Sequence, residues 1–183
     1  MSSDVQIYVA VEGTKQGKFS DAGVVVPNPA QSSTSGPASF KFRGLSSAKQ
    51  QAEGQSPALS ALKFSYGVVF PSDPSTGLPS GKRQHKPIVI TREPSAASPQ
   101  FFTALVTNEV LTVVIQFLRG NVATGVGNEV QQIITLTNAR ISDFLQYVGD
   151  DGRWLEDVAF AFQKIEIENR PSRKMAVDSL AVV

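Results

Sequence analysis

The chain of 183 residues has no cysteine, one histidine, one tryptophan and two methionines. Without cysteine there is no disulfide framework, no thiol nucleophile and no thiolate metal site. A lone histidine then leaves too few nitrogen and sulfur ligands for a transition-metal centre, which recruits several. No cofactor is expected. Long apolar runs are missing as well, so no membrane-spanning helix and no membrane insertion are predicted. Nor is there an excess of either charge: 17 basic against 16 acidic residues leave a formal +1, and no net field selects nucleic acid or an anionic surface. The opening MSSDVQIYVAVEG carries neither a basic start nor a long apolar stretch, so a cleaved leader is not expected, and export would require another machine.

What is present is β-strand patterning. Val5, Ile7, Val9 and Val11 recur at every second position and predict a strand with one apolar face. From about 14 to 60 the composition shifts to Gly, Ser, Gln, Ala and Pro, broken by apolar islands at Val24–Val26 and Phe40–Phe42; this reads as an insertion with one short strand pair. Leu62, Phe64, Tyr66, Val68 and Phe70 alternate again, predicting a strand that leads into an extended loop over about 71–86. Pro87 to Glu93 is short, β-branched and closed by Pro94, as suits a strand.

One helix is predicted, capped by Ser98 with Pro99 in its first turn, carrying Phe101, Phe102, Leu105 and Val106 as its core stripe and stopping near Asn108. Strands follow at 110–118 and 133–140, the second running on to Tyr147, with a turn over NVATGVGNE between them. After the turn GDDGR, Val158, Phe160 and Phe162 hold one parity and Ile165 and Ile167 the other. One extra residue near Gln163 and Lys164 is therefore predicted to form a β-bulge within a single long strand. At least six strands against one helix make the chain mainly β, a closed or curled antiparallel barrel in one domain.

Residues able to do chemistry are few. His85 with Asp73 and a serine would nominally complete a hydrolytic triad, but no GxSxG elbow supports it and an enzyme is not expected. Asp150 and Asp151 offer two oxygen ligands without the spacing of a calcium loop. Glu166 and Glu168 share a strand face, a pattern that more often marks a solvated or lumen-lining face than a glycosidase pair. Gly120, Gly125 and Gly127 lack the lysine and spacing of a phosphate loop. Trp154 reads either as an interface anchor or as an ordinary half-buried side chain.

The order of segments VEGTKQG, FSYGVVFP, a Gly/Ser/Pro loop, GKRQHKPIVITREPSAASPQFF, ITLTNARISDF and LEDVAFAFQKIEIEN resembles the Hcp (hemolysin-coregulated protein) family of type VI secretion systems, with RPSRKMAVDSL similar to its closing polar segment. The most specific stretch is Arg83 to Glu93. Residues 14 to 60 exceed the short link usual there. The resemblance implies a structural tube subunit that forms homo-hexameric rings and stacks them into a tube, with sheath, spike and effector proteins as partners. It also implies assembly in the cytoplasm and release without a cleaved signal peptide.

Under that reading Ser72, Asp73, Lys82, Arg83, His85 and Lys86 belong to a loop reaching an adjacent subunit, and Trp154 becomes a candidate contact. A ring needs two different patches per subunit, because each contact is heterologous and must close after a fixed rotation. The alternatives are a secreted monomeric β-sandwich that binds a ligand and a tail-tube subunit of a related contractile injection particle.

Overall fold

The computed structural model describes residues 5–21, 58–78, 80–121 and 126–180. The apolar islands at 24–26 and 40–42, and the turn centred on 122–125, lie outside those residues. The elements are β1 (Val5–Gly13), β2 (Gly17–Lys18), β3 (Leu59–Ala61), β4 (Lys63–Ser65), β5 (Val68–Val69), β6 (Gln84–His85) and β7 (Ile88–Arg92), then α1 (Ser98–Val106). They are followed by β8 (Leu111–Asn121), β9 (Val126–Val148), β10 (Trp154–Ala161), β11 (Lys164–Asn169) and β12 (Lys174–Ser179).

Among the described residues the chain is mainly β with one helix. Its principal sheet runs β2-β1-β8-β9-β10-β7-β4, with β3 on β1 and the β11–β12 hairpin on β9. These ladders do not form a closed barrel. The two edges are instead approached by one segment: β3 pairs with β1, β4 pairs with β7, and between them Leu62 N–H donates to the Thr91 carbonyl at 2.7 Å. The expected single strand from Leu62 to Phe70 is thus two short pieces, β4 and β5, with β3 just before them. Leu62, Val68 and Phe70 are exposed while Leu59 is buried, because the segment crosses between edges and cannot keep one parity.

Strand β9 is the spine. Its first half pairs with β11 and its second half with β10, both antiparallel, while β8 runs along its other edge. Buried positions Ile134 and Leu136 give way to Ala139 and Ile141, a change of parity located at Asn138, whose φ of 52° is left-handed. Short polar Asn tolerates that conformation better than a branched residue would.

The facing strand breaks at the same level. Phe162 and Gln163 separate β10 from β11, and Asn138 Nδ2 donates to Gln163 Oε1 at 3.2 Å. A parity change at this point was legible, but the interruption spans two residues and divides the expected long strand into two. Residues 174–179, read only as a closing polar segment, form a strand because β11 offers them a free edge.

The core consists of Val9, Val11, Leu59, Ile88, Ile90, Val113, Ile115, Leu136, Val158 and Phe160 from the strands, with Phe19 and Phe101. Phe101 fastens α1 to the sheet, edge-on to Phe19 at 5.3 Å and to Phe160 at 6.4 Å. Burying such a ring contributes about 2–3 kcal/mol relative to leaving it in water.

The helix differs from expectation in two respects. Ala97 occupies the cap position without a side-chain bond, and the Ser98 hydroxyl instead accepts from the Ser95 amide at 2.9 Å, tightening the turn before the helix. The buried face is Ser98, Phe101 and Ala104, spaced by three; Phe102 and Val106, each one position round, are 56% and 67% exposed.

Candidate assembly surfaces

Strands β5 and β6 pair through Val68–His85 and Val69–Gln84 and bring together the two ends of the extended loop. Inside it the chain is tied to itself. Asp73 Oδ1 accepts from the Ser75 amide at 2.8 Å and from its hydroxyl at 2.6 Å; Gly77, at φ 68°, donates to the Asp73 carbonyl; and Ser80 N–H donates to the Pro71 carbonyl. The Ser75 hydroxyl, and then its amide, hold the Asp73 carboxyl below its ordinary range. Ser72, Lys82 and Lys86 are exposed, and so is Leu78 at the turn.

The base of the loop meets β12. Arg83 engages the Asp178 carboxylate through both Nε and Nη2, with Nη2 also donating to the Ser179 carbonyl at 3.2 Å. The His85 side chain, only 4% exposed, lies between two partners, Asp178 Oδ2 at 2.9 Å from Nε2 and the Tyr66 hydroxyl at 2.7 Å from Nδ1. With Nε2–H donating to Asp178, Nδ1 is left to accept from the Tyr66 hydroxyl. Phe162 packs edge-on against the ring, centroids 5.5 Å apart.

The Arg83 hydrogen bonds, against the opposing effect of desolvation and with help from His85, hold the Asp178 carboxyl at about 2. Tyr66 is pushed up, first by burial and then by the Asp178 charge. His85 therefore faces Asp178 and a tyrosine, and the triad that would have used Asp73 is not assembled.

Of the seven candidate residues, the structure joins Arg83 and His85 in one cluster. It leaves Ser72, Asp73, Lys82 and Lys86 elsewhere on the loop and sets Trp154 apart. Asp178 and Tyr66 were missed. Tyr66 carried a signal, its place opposite the RQH segment, but nothing local marks an aspartate 95 residues from Arg83 in sequence as its partner.

Trp154 is the first residue of β10 and 57% exposed, paired with the exposed Val148. With Phe102, Phe144, Pro94, Pro99 and Gln146 it lines a cavity of about 500 Å³ at the start of α1. Behind that cavity is a buried polar cluster. Arg92 (2% exposed) lies with its Nε 3.5 Å from Oε1 of Glu156 (0% exposed), donates through Nη2 to Asp21 at 2.8 Å and to Ser95, and sits 5.5 Å from the Phe101 ring centroid. Gln146 Nε2 donates to Glu156 Oε2 at 3.0 Å. Parity was the overlooked signal: Arg92 follows Ile88 and Ile90, and Glu156 precedes Val158 and Phe160, so all six share the buried face.

The remaining carboxylates have ordinary tasks. Asp151 binds Arg153 Nε at 2.7 Å, which lowers its pKa, and Glu166 and Glu168 pair with Lys164 and Arg170 along the strand. Among the described residues no three carboxylate or histidine side chains form a metal cluster.

Comparison with known proteins gives these surfaces a context. Residues 41–168 match the family model described as type VI secretion system effector, Hcp. The Pseudomonas aeruginosa "Major exported protein" is 32% identical over 167 residues, 86% of this chain and 85% of that protein. A crystal structure of an Hcp protein superposes with a TM-score of 0.72 at 25% identity, covering 95% of this chain and 98% of the other. The secreted protein Hcp3 from Pseudomonas aeruginosa gives 0.67 at 27% identity, covering 98% of this chain and all of that one. The chain belongs to the Hcp family of type VI secretion, a family of structural tube proteins that form hexameric rings and are exported.

Proposed function

We propose that six copies of this chain close into a ring by head-to-tail contacts, and that rings stack through the loop carrying Ser72, Asp73, Lys82, Arg83, His85 and Lys86. The whole chain acts as one domain, its curl drawn together by the segment 59–65. The tube assembles in the cytoplasm, accompanies effectors behind a spike, and is expelled by a contracting sheath.

The observation that carries this reading is the latch at the loop base. Arg83 and His85 hold the loop to β12 through one carboxylate, so its described residues 72–78 and 80–82 are presented in a fixed shape with little ordering left to lose on contact. Deleting 73–80, between latched ends, should leave rings intact and abolish tube growth in electron micrographs. Tubes of normal length from that deletion would refute the stacking role, and an unmodified chain that stays a dispersed single copy would refute the ring itself.

A further inference from the structure

No side chain among the described residues fills the aromatic cavity beside Trp154. Phe102 and Trp154 each leave more than half of their surface in water. Its surroundings are acidic: Asp21, which Arg92 holds, and Glu93 flank the Pro94–Ser95 wall, and Asp150 and Asp151 lie in the turn leading to Trp154; among the described residues the exposed cation beside them is Arg153, which Asp151 holds at 2.7 Å and Glu93 meets at 4.0 Å.

The turn between β11 and β12 has the opposite character. Arg170, Pro171, Arg173, Lys174 and Met175 are all exposed, Met175 to 65%. The turn has a set shape, with Asn169 Oδ1 accepting from the Ser172 amide at 3.0 Å and hydroxyl at 2.7 Å, and Arg173 in a left-handed conformation at φ 51°.

These surfaces sit at opposite ends of β9, where Asn169 pairs with Gln132 and Trp154 with Val148. They are separated by a strand contour of about 50 Å at roughly 3.3 Å per residue. One surface is basic with a flexible thioether at the start of β12, the other acidic with aromatic walls, and no hydrogen bond or ion pair joins them among the described residues. Two such unlike patches are what a head-to-tail contact requires. Arginine stacks on aromatic faces and methionine fills irregular apolar gaps.

We propose that the β11–β12 turn of a second copy, Arg170 to Met175, seats in the cavity lined by Phe102, Phe144 and Trp154. This rests on the ring reading and names its contact. Trp154 is the only tryptophan, so its fluorescence reports the cavity directly. On ring formation its emission should shift to the blue and its quenching by acrylamide should fall severalfold. The double substitution Arg173→Glu with Lys174→Glu should raise the concentration for half-assembly about tenfold or more, since like charges then face each other. Glu93→Lys with Asp150→Lys in the same chain should restore it. Far-ultraviolet circular dichroism of every variant confirms the fold.

Rings whose Trp154 remains as accessible as in the dispersed chain overturn the proposal and leave the ring reading standing. Shielding that appears only when rings stack assigns the cavity to another occupant and also overturns it. Charge reversal without effect on assembly does the same. If the unmodified chain forms no rings, the ring reading itself fails.

Discussion

Replacing Arg92 by methionine tests the buried cluster behind the helix. The substitution keeps an unbranched side chain near Phe101 but removes the cation beside Glu156, which is 0% exposed and would retain only the bond from Gln146. Asp21 and Ser95 are nearer the surface and recover water, so the main loss is at Glu156. Removing one member of a buried ion pair costs about 3–5 kcal/mol. With a urea slope of about 2 kcal/mol per molar, the unfolding midpoint should fall by about 2 M at constant slope. Protein concentration must be held constant, because assembly adds its own stabilisation. The double variant Arg92→Met with Glu156→Leu should recover to within about 1 kcal/mol of the parent, since apolar residues of similar volume often replace a buried pair at little cost. A loss below about 1 kcal/mol for the single variant would show that Glu156 does not depend on Arg92, and the reasoning fails.

Glu109 is buried and accepts from the Lys15 amide, the Gln16 amide and the Gln16 side chain. Burial alone would raise its pKa, but the Gln16 side chain, the two amides and the Lys15 charge together bring it below the ordinary range. A lowered folded-state value stabilises above the unfolded one of about 4.3 and is lost as pH falls through the folded value. Glu109→Ala should therefore cost about 2 kcal/mol at pH 7, with the gap from the parent narrowing in denaturation curves below pH 4; a gap that widens there contradicts it. Gly13→Ala would bring a methyl inside contact distance of the same carboxylate, and a thermal-melt loss equivalent to about 1–3 kcal/mol is expected; an unchanged melt would mean that Glu109 moves freely. Asp178→Asn should open the loop base, seen as faster trypsin cleavage after Lys82 and Arg83 with the core melt unchanged. In the parent, with the Asp178 carboxyl held at about 2, that protection should persist below pH 4 and vanish only as pH falls through 2, by amide exchange; equal cleavage rates would remove the latch.

Period-two alternation made β1 legible, because a strand with one buried face must alternate whatever its partners, and β-branched composition marked β7, β8 and β9. The same rule over-extended the strand from Leu62, where the segment changes edges, and it merged β10 with β11, whose parity change was visible at Gln163 although the two-residue break was not. The helix was placed correctly by Ser-Pro, but its buried stripe was drawn one position too wide: with Phe101 toward the sheet, Phe102 turns outward. Of the loop residues, Arg83 and His85 came from the RQH segment, whereas their partner Asp178 sits on a strand that local patterning had not marked.

By itself the sequence determined the class of architecture, the absence of any thiol or multi-histidine chemistry, and through Arg83 to Glu93 the family to which the chain belongs. All of these follow from residue identity and near-neighbour spacing. Only the tertiary structure decided that Arg83 and His85 share Asp178, that Arg92 meets Glu156 in the core, and that Phe102 and Trp154 wall one open cavity. Those pairings join residues about 50 to 95 positions apart whose meeting depends on which strand edges register with which, and edge registry is set by the packing of the whole sheet.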